Sequence, residues 1–292
     1  MPHRSSTRPA PARTTRLAGT QSPRRLLGFI GGGNMATALI RGLLGSKAYQ
    51  PREIWVSEKL PAQRRKIERT FRITTTEENA TLAAGSATVI LAVKPQNMDD
   101  VLAEIRPAVN PRTLFISIAA GVRLRRLERG LGPGSRVVRV MPNTPALVGR
   151  GMSVVAAGLR ASARDVAHTL SIFSSVGSAE AVPREALLDA VTGLSGSGPA
   201  FVYLFAEGLV AGGRAGGLPQ TLAERLSFQT IEGAAAMLKE TGKTPAELRA
   251  MVTSPGGTTL AGLAHLESKS FLDTVRGAVA SATSRARELA RG

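Results

Sequence analysis

The sequence predicts an α/β fold, in which a doubly wound parallel sheet is followed by an all-helical C-terminal domain. Short β-rich runs alternate with helical stretches from Leu26 to about Ala181, which is typical of a sheet with crossover helices. A glycine-rich turn joins the first strand to the first helix. Beyond Glu185 the pattern changes to long helical stretches without a convincing strand. We therefore expect one domain over residues 26–182 and a second over residues 183–292.

The turn after the first predicted strand, Leu26–Ile30, contains three consecutive glycines. Gly31, Gly33 and Ala36 fit the G-x-G-x-x-G/A fingerprint of Rossmann-like dinucleotide-binding domains, in which the glycines permit a tight turn and close approach of a pyrophosphate. A second predicted strand, Ile54–Ser57, follows the intervening helix, as a βαβ unit requires. These features favour dinucleotide binding over a purely structural glycine turn.

The remaining elements of the first domain follow in order. Helices are predicted over Leu60–Arg69 and Ser162–Ser174, and Ser162 with Asp165 resembles a helix start signal. Further strands are predicted near Ile73, over Thr88–Val93, Leu114–Ile118, Val137–Met141 and Met152–Ala156, and near Ala179.

The second domain begins with a polar, glycine-rich segment in which Pro199 is placed at a first helical position. Residues 200–213 are apolar nearly all round, which predicts burial. Five glycines between 208 and 217 either allow another helix, including one from a second subunit, to approach closely, or serve in loops. Capping boxes predict two further helix starts, at Thr221 with Glu224 and at Thr244 with Glu247.

The net charge of +17, from 38 Lys and Arg against 21 Asp and Glu, raises the question of nucleic-acid binding. Six arginines lie in the first 25 residues, and the first acidic residue is Glu53. Residues 1–25 are also aperiodic and rich in Pro, Ser, Thr and Ala, so we expect a disordered basic tail, a solvated extension rather than a transit peptide. The remaining excess is spread out without interleaved aromatic residues, which favours acidic small molecules over nucleic acid as partners.

Composition excludes several kinds of chemistry. The chain has no cysteine, and its three histidines are scattered, so we expect no disulfide, no thiolate nucleophile and no metal site. No apolar run approaches the length of a membrane span, and no secretory signal is evident. A soluble, cytoplasmic protein without a membrane partner is expected.

Two other nucleotide or nucleophile motifs are incomplete. The segment Gly193–Ser197 is one glycine short of a serine-hydrolase nucleophile elbow. A P-loop would require Lys and Ser or Thr after its last glycine, where Asn34 and Met35 stand instead. Hydride transfer is the reaction class that remains compatible with this sequence. In such a reaction the cofactor carries the chemistry, and the protein supplies position and polarity.

Ligands of an open α/β sheet bind beyond the carboxyl ends of the strands. Lys94 follows the fourth predicted strand, small residues follow the fifth over 117–121, and Asn143 with Thr144 follows the sixth. After the second strand the signals conflict, since Glu58 suits a ribose diol whereas Ser57, Lys59 and the nearby Arg64 and Arg65 suit a 2′-phosphate. We expect NADP(H) to be preferred, with NAD(H) as the alternative.

The segment Val252–Thr259 is a short polar loop that leads into a helical pattern. Its two glycines let backbone N–H groups converge at a helix N-terminus, where a carboxylate or phosphate is favoured. The hydroxyls of Ser254, Thr258 and Thr259 add neutral donors. The loop is therefore a candidate anion pocket, and the alternative is a capped turn between two helices.

Several blocks together resemble the pyrroline-5-carboxylate reductase family. They are GFIGGGNMA, LAVKPQ, ISIAAGV, RVMPNTPALVGRGM, DAVTGLSGSGPAF and LRAMVTSPGGTTLAGLAHLE, and the resemblance covers roughly Leu26 to Leu289. It implies NAD(P)H-dependent reduction of 1-pyrroline-5-carboxylate to L-proline by hydride transfer to the imine carbon, the final step of proline biosynthesis. It also implies a homodimer with interlocked C-terminal helices, with further assembly into decamers.

The same resemblance, combined with the strand-end argument, assigns site residues. The substrate carboxylate is expected at the amides of the Gly-Gly turn, with the catalytic Thr259 donating to the ring nitrogen. Expected substrate-binding residues are Ser254, Gly256, Gly257, Thr258 and Thr259. Expected cofactor-binding residues are Ile30, Gly31, Gly32, Gly33, Asn34, Met35, Ser57, Asn79, Ala92, Val93, Lys94, Pro95, Ile118, Ala119, Ala120 and Asn143.

Two other functions remain open at this point. One is another imine or β-hydroxy-acid reductase of the same architecture, although residues 185–213 lack the lysine that hydroxy-acid dehydrogenases of that shape usually place there. The other is a non-catalytic dinucleotide-sensing or basic scaffold protein, which would bind the cofactor without pyrroline-dependent oxidation of NAD(P)H.

Overall fold

A computed structural model of the chain describes residues 25–290. The expectation of a disordered tail over residues 1–25 lies outside this range, except for Arg25, which begins the first strand. Eight strands form one sheet in the order β3-β2-β1-β4-β5-β6-β7-β8. The strands are β1 Arg25–Ile30, β2 Ile54–Ser57, β3 Thr74–Thr76, β4 Ser86–Leu91, β5 Leu114–Ser117, β6 Arg136–Met141, β7 Gly151–Ala157 and β8 Gly177–Val182.

One pairing departs from the predicted parallel sheet. β7 runs antiparallel to β6, with Val140 opposite Val155, while every other pair is parallel. The segment 142–150 that joins the two strands is too short for a crossover connection, which needs a dozen or more residues. The short linker therefore turns the chain back beside β6.

Helices cover both faces of the sheet and enclose two apolar layers. One layer contains Leu39, Ile67 and Phe173 against the sheet, and the other contains Leu102 and Leu127. The helices of this half are α1 Asn34–Gly45, α2 Pro61–Phe71, α3 Asn79–Gly85, α4 Met98–Ile105, α5 Leu124–Leu131 and α6 Ala163–Ser174. The predicted start of α6 is confirmed, because the Ser162 hydroxyl accepts from the Asp165 amide at 3.2 Å.

The chain after β8 is helical up to Leu289. Its helices are α7 Leu187–Val191, α8 Gly198–Ala215, α9 Gln220–Glu240, α10 Pro245–Met251, α11 Thr258–Ser268 and α12 Phe271–Leu289, with a π-helical turn over Thr192–Gly196 between α7 and α8. The Thr244–Glu247 capping box is present. The box predicted at Thr221 is wrong, because Pro219, with its fixed φ, caps α9 and the helix begins at Gln220.

Helix α8 is not buried as its composition predicts. Tyr203, Leu204 and Phe205 are exposed, and Leu204 retains 68% of its accessible surface. Beta-carbons built at Gly208 and Gly212 meet nothing within 4 Å, so these glycines accommodate no helix from the described part of the same chain. Contiguous apolar surface of this kind marks a contact with another protein surface or a membrane.

The helical stretch Leu187–Ala215 is long and apolar enough to cross a membrane, and 6% of its most apolar window is buried within one chain. Length and composition alone do not separate a membrane span from a helix that a second protein copy covers. The exposed face of α8 therefore needs a partner or a membrane to explain its composition.

Candidate active site

The sheet order brings most of the predicted cofactor residues to one edge of the molecule. β2, β1, β4 and β5 are consecutive, parallel neighbours, so the segments that follow them lie side by side. The strand order reverses between β1 and β4, and the crevice at such a switch point is where open α/β sheets bind ligands. The glycine turn and Ala92–Pro95 flank this crevice on its two sides.

Gly31 holds the glycine turn in a conformation that a side chain would disturb. Its φ is +97°, and an added β-carbon would lie 2.8 Å from the Ala92 carbonyl oxygen. The Gly31 amide donates to the Ser57 carbonyl at 2.8 Å, and the Ala92 amide donates to Ile30 at 2.8 Å. These bonds fix the turn between the ends of β2 and β4.

The start of α1 faces open space. A β-carbon at Gly33, the N-cap residue, would have no neighbour within 4 Å. No side chain caps the helix, and its first turn has no acidic residue. The amides of Asn34, Met35 and Ala36 are therefore available to an anion at the positive end of the helix dipole.

Glu58 braces the glycine turn, a role that sequence reasoning missed. One carboxylate oxygen accepts from the Gly32 amide at 2.9 Å, and the other accepts from the Leu60 amide at 3.0 Å. Gln63 donates to the Gly32 carbonyl at 2.6 Å. The position of Glu58 one residue after β2 was the available signal, but its choice of backbone partners depends on the folded turn.

Ser57 and Asn79 are buried and bonded to each other. The Ser57 hydroxyl donates to the Asn79 side-chain oxygen at 2.7 Å, and the Asn79 amide group donates to Glu104 at 2.7 Å. Glu104 also forms a 3.4 Å ion pair with the exposed Lys59. In this conformation the polar atoms of Ser57 and Asn79 are engaged within the protein.

Arg64 and Arg65 differ in availability. Arg64 donates to the carbonyls of Glu58 and Lys59 at 2.7 and 3.1 Å and pairs with Glu77 at 3.2 Å. Arg65 is exposed, with no side-chain bond to the described residues. Of the two, Arg65 is the one free to reach a phosphate.

The segments after β4 and β5 provide a small-residue wall and one free cation. Lys94 is exposed and has no ion pair with the rest of residues 25–290. The Ile118 amide donates to the Leu91 carbonyl at 3.2 Å, which places the segment beyond β5 next to the end of β4. Ala119 is buried and Ala120 is exposed, so a flat ring would meet little steric obstruction here.

Asn143 connects the two halves of the chain. Its side-chain nitrogen donates to the carbonyl and to the hydroxyl of Ser195, both at 3.2 Å, and its oxygen accepts from the Met152 amide at 2.8 Å. Ser195 lies in the π-helical turn before α8. The amide group of Asn143 is thus occupied by protein partners in this conformation.

A buried ion pair also ties the sheet to the helical half. Arg139 in β6 is 2% exposed, and its guanidinium lies 2.8 Å from Glu185. The same carboxylate oxygen accepts from the Leu124 amide at 2.8 Å, at the start of α5. Nothing local in the sequence identifies this pair, because its partners are 46 residues apart.

The loop before α11 is shaped by its two glycines. Gly256 has φ +70°, and a β-carbon at Gly257 would overlap the Ser254 hydroxyl. Gly257 caps α11 without a side-chain hydrogen bond, so the first amides of the helix are open. Thr258 is exposed and Thr259 is half-buried at this helix start. The loop has the geometry of an anion cradle.

Within one chain this loop is not bonded to the cofactor edge of the sheet. No hydrogen bond or ion pair between described residues joins residues 252–259 to residues 25–182. The flanking helix α10 packs on α9, and α11 packs on α12. Most of the loop is solvent-exposed, including the apolar Val252, and so is the neighbouring side chain of Met251.

Comparison with known proteins places both halves of the chain. Residues 185–289 match the family described as pyrroline-5-carboxylate reductase dimerisation, and residues 26–121 match the family described as NADP oxidoreductase, coenzyme F420-dependent. A pyrroline-5-carboxylate reductase from Synechocystis sp. is 45% identical over 265 residues, which are 91% of this chain and 98% of the relative.

Solved structures agree with these matches. A pyrroline-5-carboxylate reductase from Coxiella burnetii superposes with a TM-score of 0.86 at 35% identity and covers 91% of this chain and 98% of its own. A pyrroline carboxylate reductase from Plasmodium falciparum, solved with NADP bound, has a TM-score of 0.81 at 32% identity and covers 92% of this chain and 99% of its own.

Proposed function

This chain belongs to the pyrroline-5-carboxylate reductase family, and from that premise we propose how its residues divide the NAD(P)H-dependent reduction of 1-pyrroline-5-carboxylate to L-proline. Residues 26–182 bind the cofactor, and residues 183–292 bind the substrate and form the dimer. The observation that carries the proposal is the pairing of two anion-binding features, the open start of α1 after the glycine turn and the open start of α11 after Gly256 and Gly257.

The glycine turn fits a dinucleotide. The open side of Gly33 gives the pyrophosphate access to the free amides of α1, and Gly31 keeps the turn clear of Ala92. Lys94, Pro95 and the segment Ile118–Ala120 border the nicotinamide. When bound, the reduced nicotinamide supplies a hydride. The small side chains of Ala119 and Ala120 leave one face of its ring open to the substrate.

NADP(H) is the preferred cofactor in our proposal, with NAD(H) as the slower alternative. The exposed cations Lys59 and Arg65 follow β2 in the chain, and a 2′-phosphate would lie beyond the end of that strand. Glu58, which would otherwise bind a ribose diol, has both carboxylate oxygens engaged by backbone amides. The NADP bound to the relative from Plasmodium falciparum supports the same preference.

The loop before α11 holds the substrate. The amide of Thr258 binds the pyrroline carboxylate, together with that of Gly257, which exchanges its 3.0 Å hydrogen bond to the Ser254 carbonyl for the substrate. The Thr259 hydroxyl donates to the ring nitrogen. Electron density on that nitrogen rises as hydride reaches C5, so this hydrogen bond strengthens toward the transition state. A donor of this kind contributes about 1.5 to 4 kcal/mol, comparable to an oxyanion-hole donor.

The enzyme acts as a homodimer in this proposal, with further assembly into decamers. A second copy covers the exposed apolar face of α8, and assembly brings the substrate loop to a cofactor edge that it does not reach by bonds within one chain. The dimerisation family match over residues 185–289 supports this arrangement. We further propose a cytoplasmic location with neither a membrane nor a nucleic acid as partner.

One assay tests the proposal. The absorbance of NADPH and of NADH is followed with and without 1-pyrroline-5-carboxylate, and L-proline is measured as the product. We expect substrate-dependent oxidation of both, with a higher kcat/KM for NADPH. Oxidation that is faster with NADH would overturn the cofactor preference, and binding without oxidation would indicate a dinucleotide sensor.

A further inference from the structure

A cavity of about 850 Å³ lies outside the site described above, between α4, α5 and the end of α12. Its charged lining consists of five arginines and two carboxylates, so the lining carries a net charge of +3. The arginines are Arg106, Arg123, Arg125, Arg126 and Arg129, and the carboxylates are Asp99 and Glu185. None of the lining residues belongs to the predicted cofactor or substrate sets.

Three of these arginines have no counter-charge within residues 25–290. Arg126 forms a two-pronged pair with Asp99 at 2.7 and 2.8 Å, and Arg123 pairs with Asp189 at 2.7 Å. The side chains of Arg106, Arg125 and Arg129 make no ion pair or hydrogen bond with any described residue, and all three are exposed. Unpaired guanidinium groups that line one cavity repel each other unless an anion binds between them and compensates their charge.

We propose that this cavity binds a small phosphate-bearing metabolite. The planar guanidinium group matches the spacing of phosphate and carboxylate oxygens. A phosphate group places nearly two negative charges on one centre, which suits a lining with a net charge of +3. The volume falls within the range of about 300 to 1,000 Å³ typical of small-molecule sites. The basic segment over residues 1–25 has the wrong charge to occupy the cavity.

The cavity borders the predicted nicotinamide segment. Gly121, which directly follows Ile118–Ala120, lines it, and so does Arg123, two residues further on. Arg123 is also the N-cap residue of α5 and bonds to Asp189 in the helical half. A bound anion would therefore contact residues that connect the cofactor edge to the helical half.

Isothermal titration calorimetry, which measures the affinity for inorganic pyrophosphate, tests the site in the full-length protein. Saturating NADP⁺ is present, so that the phosphate positions of the cofactor are filled, and ionic strength is constant. Two variants are compared with the wild type, each of which exchanges three exposed arginines for glutamine. The cavity variant changes Arg106, Arg125 and Arg129, and the control variant changes Arg69, Arg160 and Arg164.

We expect the cavity variant to bind pyrophosphate at least about tenfold more weakly than the wild type, and the control to keep wild-type affinity. The basic N-terminal segment is present in all three proteins, so any binding there is the same. Equal affinity in the cavity and control variants would overturn the site. Tighter binding of citrate than of pyrophosphate at the same arginines would overturn the choice of phosphate as the ligand group. Equal NADPH oxidation rates without added anion in all three proteins confirm that the variants are folded.

Discussion

The carboxylate of Glu58 accepts a hydrogen bond from the backbone amide of Gly32 at 2.9 Å. An acidic residue at this position of a Rossmann-like domain is expected to face the ribose of NAD. Here it stabilises the turn at which we propose that the pyrophosphate binds, and it also accepts from the Leu60 amide. In our proposal, cofactor choice and turn geometry are therefore coupled through one side chain.

Glu58→Gln is expected to shift preference further toward NADPH. The amide oxygen can still accept from Gly32, whereas the amide nitrogen cannot accept from Leu60, so one of the two bonds to the backbone is lost. The negative charge near the proposed 2′-phosphate is removed. We expect the ratio of kcat/KM for NADPH to that for NADH to rise about threefold or more. Steady-state kinetics with both cofactors measure the ratio. Glu180→Gln, at the opposite edge of the sheet, is the control for loss of one charge, and a ratio that moves equally in both variants contradicts the assignment.

Thr259→Ala is expected to lower turnover about tenfold or more while the fold stays intact. The hydroxyl acts on the nitrogen in the transition state, so kcat falls more than the KM for 1-pyrroline-5-carboxylate changes. Thr259→Ser keeps the hydroxyl and should recover most of the rate. Steady-state kinetics and thermal unfolding of the three proteins check this, and a wild-type kcat in the alanine variant removes Thr259 from the mechanism.

Gly257→Ala is expected to raise the KM for 1-pyrroline-5-carboxylate about tenfold and leave the KM for NADPH nearly unchanged. The new methyl group overlaps the Ser254 hydroxyl and displaces the amides that hold the carboxylate. A second change, Ser254→Ala, removes that hydroxyl, although the Ser254 carbonyl would still lie 3.1 Å from the new β-carbon. The double variant should therefore recover part of the affinity. If the double variant is no better than the single one, the defect is not this overlap.

The sequence predicts the parts of this molecule that depend on local geometry. The glycine turn, the Gly256–Gly257 loop and the Ser162 and Thr244 caps each follow from the backbone needs of a few adjacent residues. The reversal at β7 could also have been predicted, because residues 142–150 cannot form a crossover.

Other features depend on residues that are distant in the chain. The burial of Arg139 against Glu185 and the engagement of Asn143 by Ser195 arise only when the helical half docks on the sheet. The apolar composition of α8 predicts a buried helix, but one chain leaves Leu204 exposed. A helix that is apolar on all sides is predicted to be buried, but its composition does not identify the molecule that would bury it.

His168 is expected to make stability fall as the pH drops from about 7.5 through the ordinary imidazole pKa toward the lower pKa of the folded protein. Burial lowers the pKa of the His168 imidazole below its ordinary value of 6.5, an effect that the nearby carboxylate of Asp165 only partly offsets. The unfolded chain thus binds a proton more readily than the folded one, and stability is lost as the pH falls through this window. Burial raises the pKa of Asp165, but bonds from Arg136 and Ser162 outweigh this effect and keep the carboxyl ionised.

Urea unfolding at several pH values tests this dependence. His168→Gln removes the titrating group and keeps a polar partner for the Thr88 hydroxyl, which lies 3.2 Å from the imidazole. The variant should lose less stability than the wild type on acidification. His265→Gln, on α11, is the control and should follow the wild type. If the free energy of unfolding changes with pH in the same way in the wild type and in His168→Gln, His168 does not titrate within this window.

Leu204→Glu is expected to weaken self-association at least about tenfold, because it places a charge in an apolar interface without a partner. Leu204 is 68% exposed in one chain, so the same change should not disturb the packing of the isolated protomer. Leu159→Glu is the matched control, since Leu159 is 84% exposed on the turn after β7, within the sheet half of the chain. Sedimentation equilibrium measures association, and activity is followed over the same range of protein concentrations. If α8 is covered by a second copy, the Leu204→Glu protein dissociates at concentrations where the control remains a dimer. Its specific activity then falls with dilution, because the substrate loop is no longer held next to the cofactor-binding edge of the sheet. A Leu204→Glu protein that associates like the control would show that another surface holds the dimer together.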